Sequence, residues 1–305
     1  TILIESTQKR LTLLTPKSIM SRKILIQLDT DSHPSTFDSV VAYDSGIDAL
    51  LSHAGVTSDN VTPLVHGAMF TRGGDDLKNT AIFIGGSNVR NAETLLKKVT
   101  ECFFGPVRNS VMLDANGCNT TAAAAVVYAG REVDLAGATA VVMGATGPVG
   151  ERVARLLAAD GANVIVTSRS LDRASEVASA IAEQTEGGSI TAAAANGPDD
   201  VKALLADAKI LIACGAAGVQ LVDEATLKSS SSLKVAIDLN AVPPAGIEGI
   251  SVTDKSKSIG DLKVYGAIGV GGLKMKTHRA AIASLFETND RVLDYREIYA
   301  IAKTI

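Results

Sequence analysis

Ala140-Val-Val-Met-Gly-Ala-Thr-Gly-Pro-Val-Gly150, continuing as Glu151-Arg-Val-Ala-Arg-Leu-Leu157, decides the fold of this chain. An apolar, β-branched run empties into three glycines at i, i+3 and i+6 (Gly144, Gly147, Gly150), and a helix with apolar spacing opens at once. A strand, a tight turn of small residues and a helix N-terminus together form a ready-made anion site. The turn lets backbone approach a pyrophosphate, and the free N–H groups and dipole of the helix face its charge. Gly144, Thr146, Gly147, Pro148, Val149 and Gly150 are therefore the candidate dinucleotide contacts. The spacing is GxxGxxG, with Ala145 standing where the usual turn carries a further glycine.

The next strand, Asn163-Val-Ile-Val-Thr167, ends in Ser168-Arg169-Ser170. Enzymes that take NAD place a carboxylate at this strand end, about 20 residues beyond the glycines, to accept from the ribose 2′-OH. Here a guanidinium stands between two hydroxyls, a donor set suited to a 2′-phosphate. The expected cofactor is NADP, with NAD as the weaker alternative.

Working outward, strands and helices alternate on both sides of this unit, so the expected class is α/β with two α/β domains. The second is a Rossmann-type parallel sheet, and the active-site cleft lies between the domains. The expected boundaries are a first domain over residues 20–121, joined by C-terminal helices from 273–305, and a dinucleotide domain over 122–272. Residues 1–19 read as an upstream extension of little functional weight, with neither the apolar run nor the cleavage site of a signal peptide. Gly266–Gly272 reads as a flexible glycine-rich return, and the Ala-rich helix Ala122–Ala129 as a surface on which a homo-oligomer could pack.

Composition narrows the function. The 305 residues carry a net charge of −4 with no basic run, which argues against nucleic acid as a partner. No apolar stretch approaches the length of a membrane span. Cys102, Cys118 and Cys214 are scattered, without paired spacing or a nearby histidine pair, so they read as reduced thiols of a cytoplasmic protein and no metal site is expected.

Five segments in a fixed order carry a resemblance: Gln27-Leu-Asp-Thr-Asp31 with Pro34-Ser35 and Phe37-Asp38; Asp114-Ala-Asn-Gly-Cys-Asn-Thr-Thr121; Thr146–Gly150; Asp238-Leu-Asn240 with Pro243-Pro244; and Gly271-Gly-Leu-Lys-Met-Lys-Thr-His-Arg279. From residue 20 to the end, the chain closely resembles the NADP-dependent methylene-tetrahydromethanopterin dehydrogenases of bacterial one-carbon metabolism. The resemblance implies hydride transfer from N5,N10-methylene-tetrahydromethanopterin, or from methylene-tetrahydrofolate, to NADP+. It assigns Asp29 and Lys274 to the reacting centre, with Lys276 a competing choice for the latter. It assigns Thr30, Asp31, Asp114, Asn116, Asn119, Thr120 and Thr121 to substrate binding, and Asn240 to the cofactor. Asn and Thr at a helix start also serve simply as N-caps, and His278 reads as a helix residue contacting its neighbours. The oxidation leaves a methenyl cation and frees no proton from that carbon, so orientation and electrostatics suffice without a general base.

Methylene-tetrahydrofolate dehydrogenase/cyclohydrolases pair a tyrosine with a lysine four residues on. Tyr43 has Ile47 at that place, so dehydrogenase activity without cyclohydrolase is expected. Two other readings compete. A reductase like shikimate dehydrogenase would need a strand-end lysine in the first domain, which lacks one; Lys78, Lys97 and Lys98 sit in a loop or on a helix. A non-catalytic NADP sensor would need no polar constellation opposite the glycine turn.

Overall fold

The computed structural model describes residues 21–185 and 187–305; the upstream segment 1–19 lies outside them. The first unit runs β1 Ile24–Asp29, α1 Thr36–Asp44, β2 Ala49–His53, α2 Thr62–Phe70, β3 Thr80–Gly85, α3 Val89–Glu101 and β4 Ser110–Leu113. A long helix, α4 Cys118–Glu132, leads into β5 Thr139–Met143, α5 Pro148–Ala159, β6 Asn163–Ser168, α6 Leu171–Ala182, β7 Ile190–Ala194, α7 Pro198–Leu205, β8 Ile210–Ala213, α8 Glu224–Ser229 and β9 Val235–Asp238. The hairpin β10 Lys257–Ile259 and β11 Leu262–Tyr265 follows, then α9 Ala267–Ser284, β12 Val292–Leu293 and α10 Tyr295–Ala302.

Two sheets result. The first has five parallel strands in the order β12-β4-β3-β1-β2, and the tail of the chain thus returns to it as an edge strand. The second has seven, in the order β10-β11-β9-β8-β5-β6-β7, all parallel except the β10–β11 pair. Central strands such as Thr80-Ala-Ile-Phe-Ile-Gly85 are buried throughout, as expected where helices cover both faces of a parallel sheet. In α3 the buried residues Val89, Ala92, Leu95 and Val99 recur every three or four positions and turn one stripe onto that sheet.

The inner faces of both sheets share one continuous core through α4, α9 and α10. Ala122–Ala129 lies in the middle of this core, against α5, α9 and α10. This corrects the expectation of a partner surface on that helix: the small side chains let four helices approach one another within the monomer. Gly266–Gly272 is likewise not a flexible return but the cap and first turns of α9. A Cβ on Gly266 would meet the Ser251 carbonyl at 2.0 Å, and one on Gly269 would meet the Asp254 carbonyl at 1.9 Å. These glycines are there for close packing. Among the described residues, no helix is long and apolar enough to cross a membrane.

Candidate functional site

Each sheet reverses its strand order once, at β5 in the second and at β1 in the first, and such switch points are where α/β sheets bind ligands. At the β5 switch point a groove of about 820 Å³ opens beyond the strand ends. Gly144, Thr146, Gly147, Pro148 and Val149 line it, together with Ser168, Arg169 and Ser170 from the end of β6. Pro148 is the first residue of α5, so the helix N-terminus faces the groove. Gly150 sits beneath the turn, where a Cβ would come within 2.7 Å of the Ala145 Cα and the Gly144 carbonyl. Gly144 has φ of +71° and faces Gly215 at 2.9 Å from where its Cβ would be, so the turn tolerates only glycine at both places.

Two features of the groove escaped the sequence reading. Arg173, on the first turn of α6, lines it beside Arg169 and gives the β6 end a second guanidinium. Its signal was the four-residue spacing from Arg169, which returns a helical side chain to the strand end. Ser170 also caps α6, accepting from the Arg173 N–H. Asn240, in contrast, does not line this groove. It holds its own loop, accepting from the Val242 N–H at 3.0 Å and donating to the Pro244 carbonyl at 3.0 Å.

The opposite switch point is built of polar side chains, most of them engaged with one another. Asp29 is 1% exposed and its carboxylate accepts from the Asp31 and Ser35 N–H groups at 2.9 and 3.0 Å. It therefore folds the turn that leads into α1. Thr30 packs against Gly86, whose φ of +122° and lack of a Cβ make room for it. Asp31 ties that turn to the next strand end, accepting from the N–H and hydroxyl of Ser87.

Asp114, fully buried, caps α4: one carboxylate oxygen accepts from the Asn119 and Thr120 N–H groups, each at 3.0 Å, and the other from the Thr120 hydroxyl at 2.7 Å. Asn119 and Thr120 have no exposure either, and Thr121 donates to the Gly117 carbonyl at 2.6 Å. The cap is thus the aspartate rather than the asparagines and threonines.

One guanidinium joins the two halves. Arg152 of α5, a side chain only 5% exposed, donates to the Asn119 carboxamide oxygen, to the Pro148 carbonyl at 3.2 Å and to Glu93 of α3 at 2.8 Å. Asn119 in turn donates to Asp294, the capping residue of α10. The glycine turn and the α4 cap are therefore held in register by a single side chain.

Asn116, in the left-handed region at φ 52°, lines the groove, and its neighbour Gly117 faces Lys274 of α9. A Cβ on Gly117 would meet the Lys274 Nζ at 2.8 Å. The lysine ammonium lies over the Phe37 ring, 5.0 Å from its centroid. His278, one turn further along α9, is buried and stacks on Phe83 at 5.6 Å. Its Nδ1 is 3.6 Å from Asp114, yet burial and the Lys274 charge hold its pKa at about 4, so the imidazole is neutral and both its nitrogens lack a partner among the described residues. Asp38, at the start of α1, is pushed up to about 6, first by burial, against the Ser35 hydroxyl that favours its charged form. The cluster reaches the dinucleotide groove through the Asn116–Gly117 tip. Among the described residues no group of side chains is arranged to hold a metal ion.

Two α/β layers, a glycine turn at a helix N-terminus and a polar cluster across the cleft define a two-domain oxidoreductase that uses a nicotinamide dinucleotide. Residues 36–116 match the family model described as methylene-tetrahydromethanopterin dehydrogenase, N-terminal, and residues 128–263 that of shikimate/quinate 5-dehydrogenase. The chain is 44% identical over 288 residues to the bifunctional protein MdtA of Methylorubrum extorquens, covering 93% of this chain and 99% of that protein. It is 33% identical over 296 residues to the NAD(P)-dependent methylenetetrahydromethanopterin dehydrogenase of the same organism, covering 94% and 99%. The chain belongs to the methylene-tetrahydromethanopterin dehydrogenase family. The shikimate 5-dehydrogenase of Listeria monocytogenes shares the fold at 12% identity, with a TM-score of 0.51 over 94% of this chain and 99% of that one.

Proposed function

We propose that this chain oxidises N5,N10-methylene-tetrahydromethanopterin, with methylene-tetrahydrofolate as a second substrate, and passes the hydride to NADP+ in the cytoplasm. The observation that carries the NADP reading is the β6 end, where Arg169 and Arg173 line the groove. Two guanidiniums suit a 2′-phosphate and offer nothing specific to a bare ribose. The cofactor supplies the hydride acceptor; the chain's own part is to hold two ring systems face to face and to exclude water. Asp29, Asp31, Asp114, Asn119 and Thr120 shape the substrate side, while Asn116 faces the dinucleotide groove and Lys274 the pterin. No proton leaves the methylene carbon in this reaction, and cyclohydrolase activity is not expected. A homo-oligomer is the expected assembly, which sedimentation of the purified protein tests.

The experiment is NADP+ and NAD+ reduction with each methylene substrate. Arg169→Ala should raise the KM for NADP+ about tenfold or more, since a charged hydrogen bond is worth about 1.5–3 kcal/mol. The constants for NAD+ should barely move. An equal loss with both cofactors would remove the 2′-phosphate role.

A further inference from the structure

The geometry points to Asp38, beside Lys274, as the pair that reads the 2-amino-4-oxopyrimidine edge of the pterin. That edge presents two adjacent N–H donors, from the 2-amino group and N3, followed by one carbonyl acceptor. A carboxylate next to an ammonium is its complement: two oxygens take the donors in parallel and the cation donates to the carbonyl. The inference rests on the pterin reading above and names the residue that recognises the ring.

Four carboxylates lie at this switch point, and the structure separates them by what their oxygens already do; the two oxygens of Asp31 accept from the N–H and hydroxyl of Ser87. Asp29 spends its two oxygens on the Asp31 and Ser35 N–H groups, and Asp114 spends its own on the α4 cap. Asp38 is not fully buried, and among the described residues the Ser35 hydroxyl is the one group that favours its charge from within hydrogen-bonding reach. Lys274 is close enough to stabilise the Asp38 carboxylate and sits over Phe37, the residue before it, whose half-exposed ring offers a flat apolar face to a planar ligand. A lysine beside the methylene carbon would oppose the cation formed there, whereas at the pyrimidinone edge its charge is useful.

The groups facing Asp38 are Asp29 from β1, Asp114 from the end of β4 and Lys274 from α9, with the Ser35 hydroxyl on its own turn; His278 is neutral. Burial and the two neighbouring carboxylates raise its pKa, so acidification toward pH 5 protonates it and removes one acceptor. Recognition of the edge therefore weakens as the pH falls through about 6, and is complete above it.

Binding of 6-methyl-tetrahydropterin and of its 2-oxo counterpart to the NADP+-loaded protein, measured by calorimetry at pH 8 and pH 5, tests the assignment. Wild type should bind the 2-amino compound about tenfold or more tighter at pH 8, since a charged hydrogen bond is lost with the 2-oxo compound. That preference should shrink at pH 5 in wild type, and be absent at pH 8 in Asp38→Asn, whose KM for NADP+ should be unchanged. Equal preference in wild type and Asp38→Asn, with no change at pH 5, would overturn the role. The wild-type pH comparison decides the question even if the variant fails to fold. Failure of hydride transfer with methylene-tetrahydromethanopterin, with the preference intact, would sink the proposed reaction but not the Asp38 assignment. A working reaction without the preference would do the reverse.

Discussion

The two switch points perform one topological role with opposite materials. At β5 the crevice is made by absence: glycines without side chains, a helix N-terminus and free backbone N–H groups leave a groove of about 820 Å³. At β1 it is made by presence, with four carboxylates, a lysine and a histidine; Asp29 is taken up by the Asp31 and Ser35 N–H groups, and Asp114 by Asn119 and Thr120. A pyrophosphate is bound by backbone, so the sequence advertises it through small residues at fixed spacing. A substituted ring is bound by side chains that must themselves be held, and most polar residues near it are the holders.

The comparison breaks first where absence is essential. Gly150→Val should press its Cβ into Ala145 and the Gly144 carbonyl, an overpacking cost of about 1–3 kcal/mol. Dinucleotide affinity, followed by fluorescence titration, should fall by up to roughly a hundredfold, while the pterin side keeps its affinity. Loss of both affinities in a folded variant would mean that the two crevices are not separate.

The link between them is next in size. Arg152→Met should leave the buried Asn119 oxygen with only the weak Cys118 thiol, 3.5 Å away, as a donor, at about 1–3 kcal/mol, lowering the unfolding midpoint. We expect kcat to fall further than either KM rises, because each crevice survives while their register loosens. Arg152→Lys should not restore it, since one ammonium cannot donate along the three directions of the guanidinium. A full rescue by lysine would reduce the contact to simple charge pairing with Glu93, which is half-exposed and worth little on its own.

The smallest expected effect is none. With His278 held near 4 and Asp38 near 6, neither changes charge between pH 7 and 9. The chemical step, read by single-turnover kinetics, should be flat over that range, whereas kcat/KM for the pterin should decline below about 6. A single ionisation in the chemical step that vanishes in Lys274→Met would instead make the lysine a general base.

Much of this was legible before any coordinates. The α/β class, the strand–turn–helix at Ala140–Gly150 and the Arg169 strand end follow from apolar periodicity and local steric demands, which act over a few residues. Arg173 is less legible, because its place at the groove depends on where α6 begins and how its first turn points back to the end of β6. Gly266–Gly272 was misread because glycines that make room for carbonyls distant in sequence look identical to glycines that give freedom.

By itself, the sequence determined which residues carry charge, which turns need glycine and which strand end carries an arginine. Only the tertiary structure decided who holds whom. It turned Asp29 inward to hold a turn and Asp114 inward as a cap, buried Ala122–Ala129 at the centre of the molecule and left Asp38 near Lys274 with few partners among the described residues. The reason is that hydrogen-bond satisfaction is a property of the assembled neighbourhood: a carboxylate's role depends on which N–H groups arrive within 3 Å of it, and those come from elements far apart along the chain.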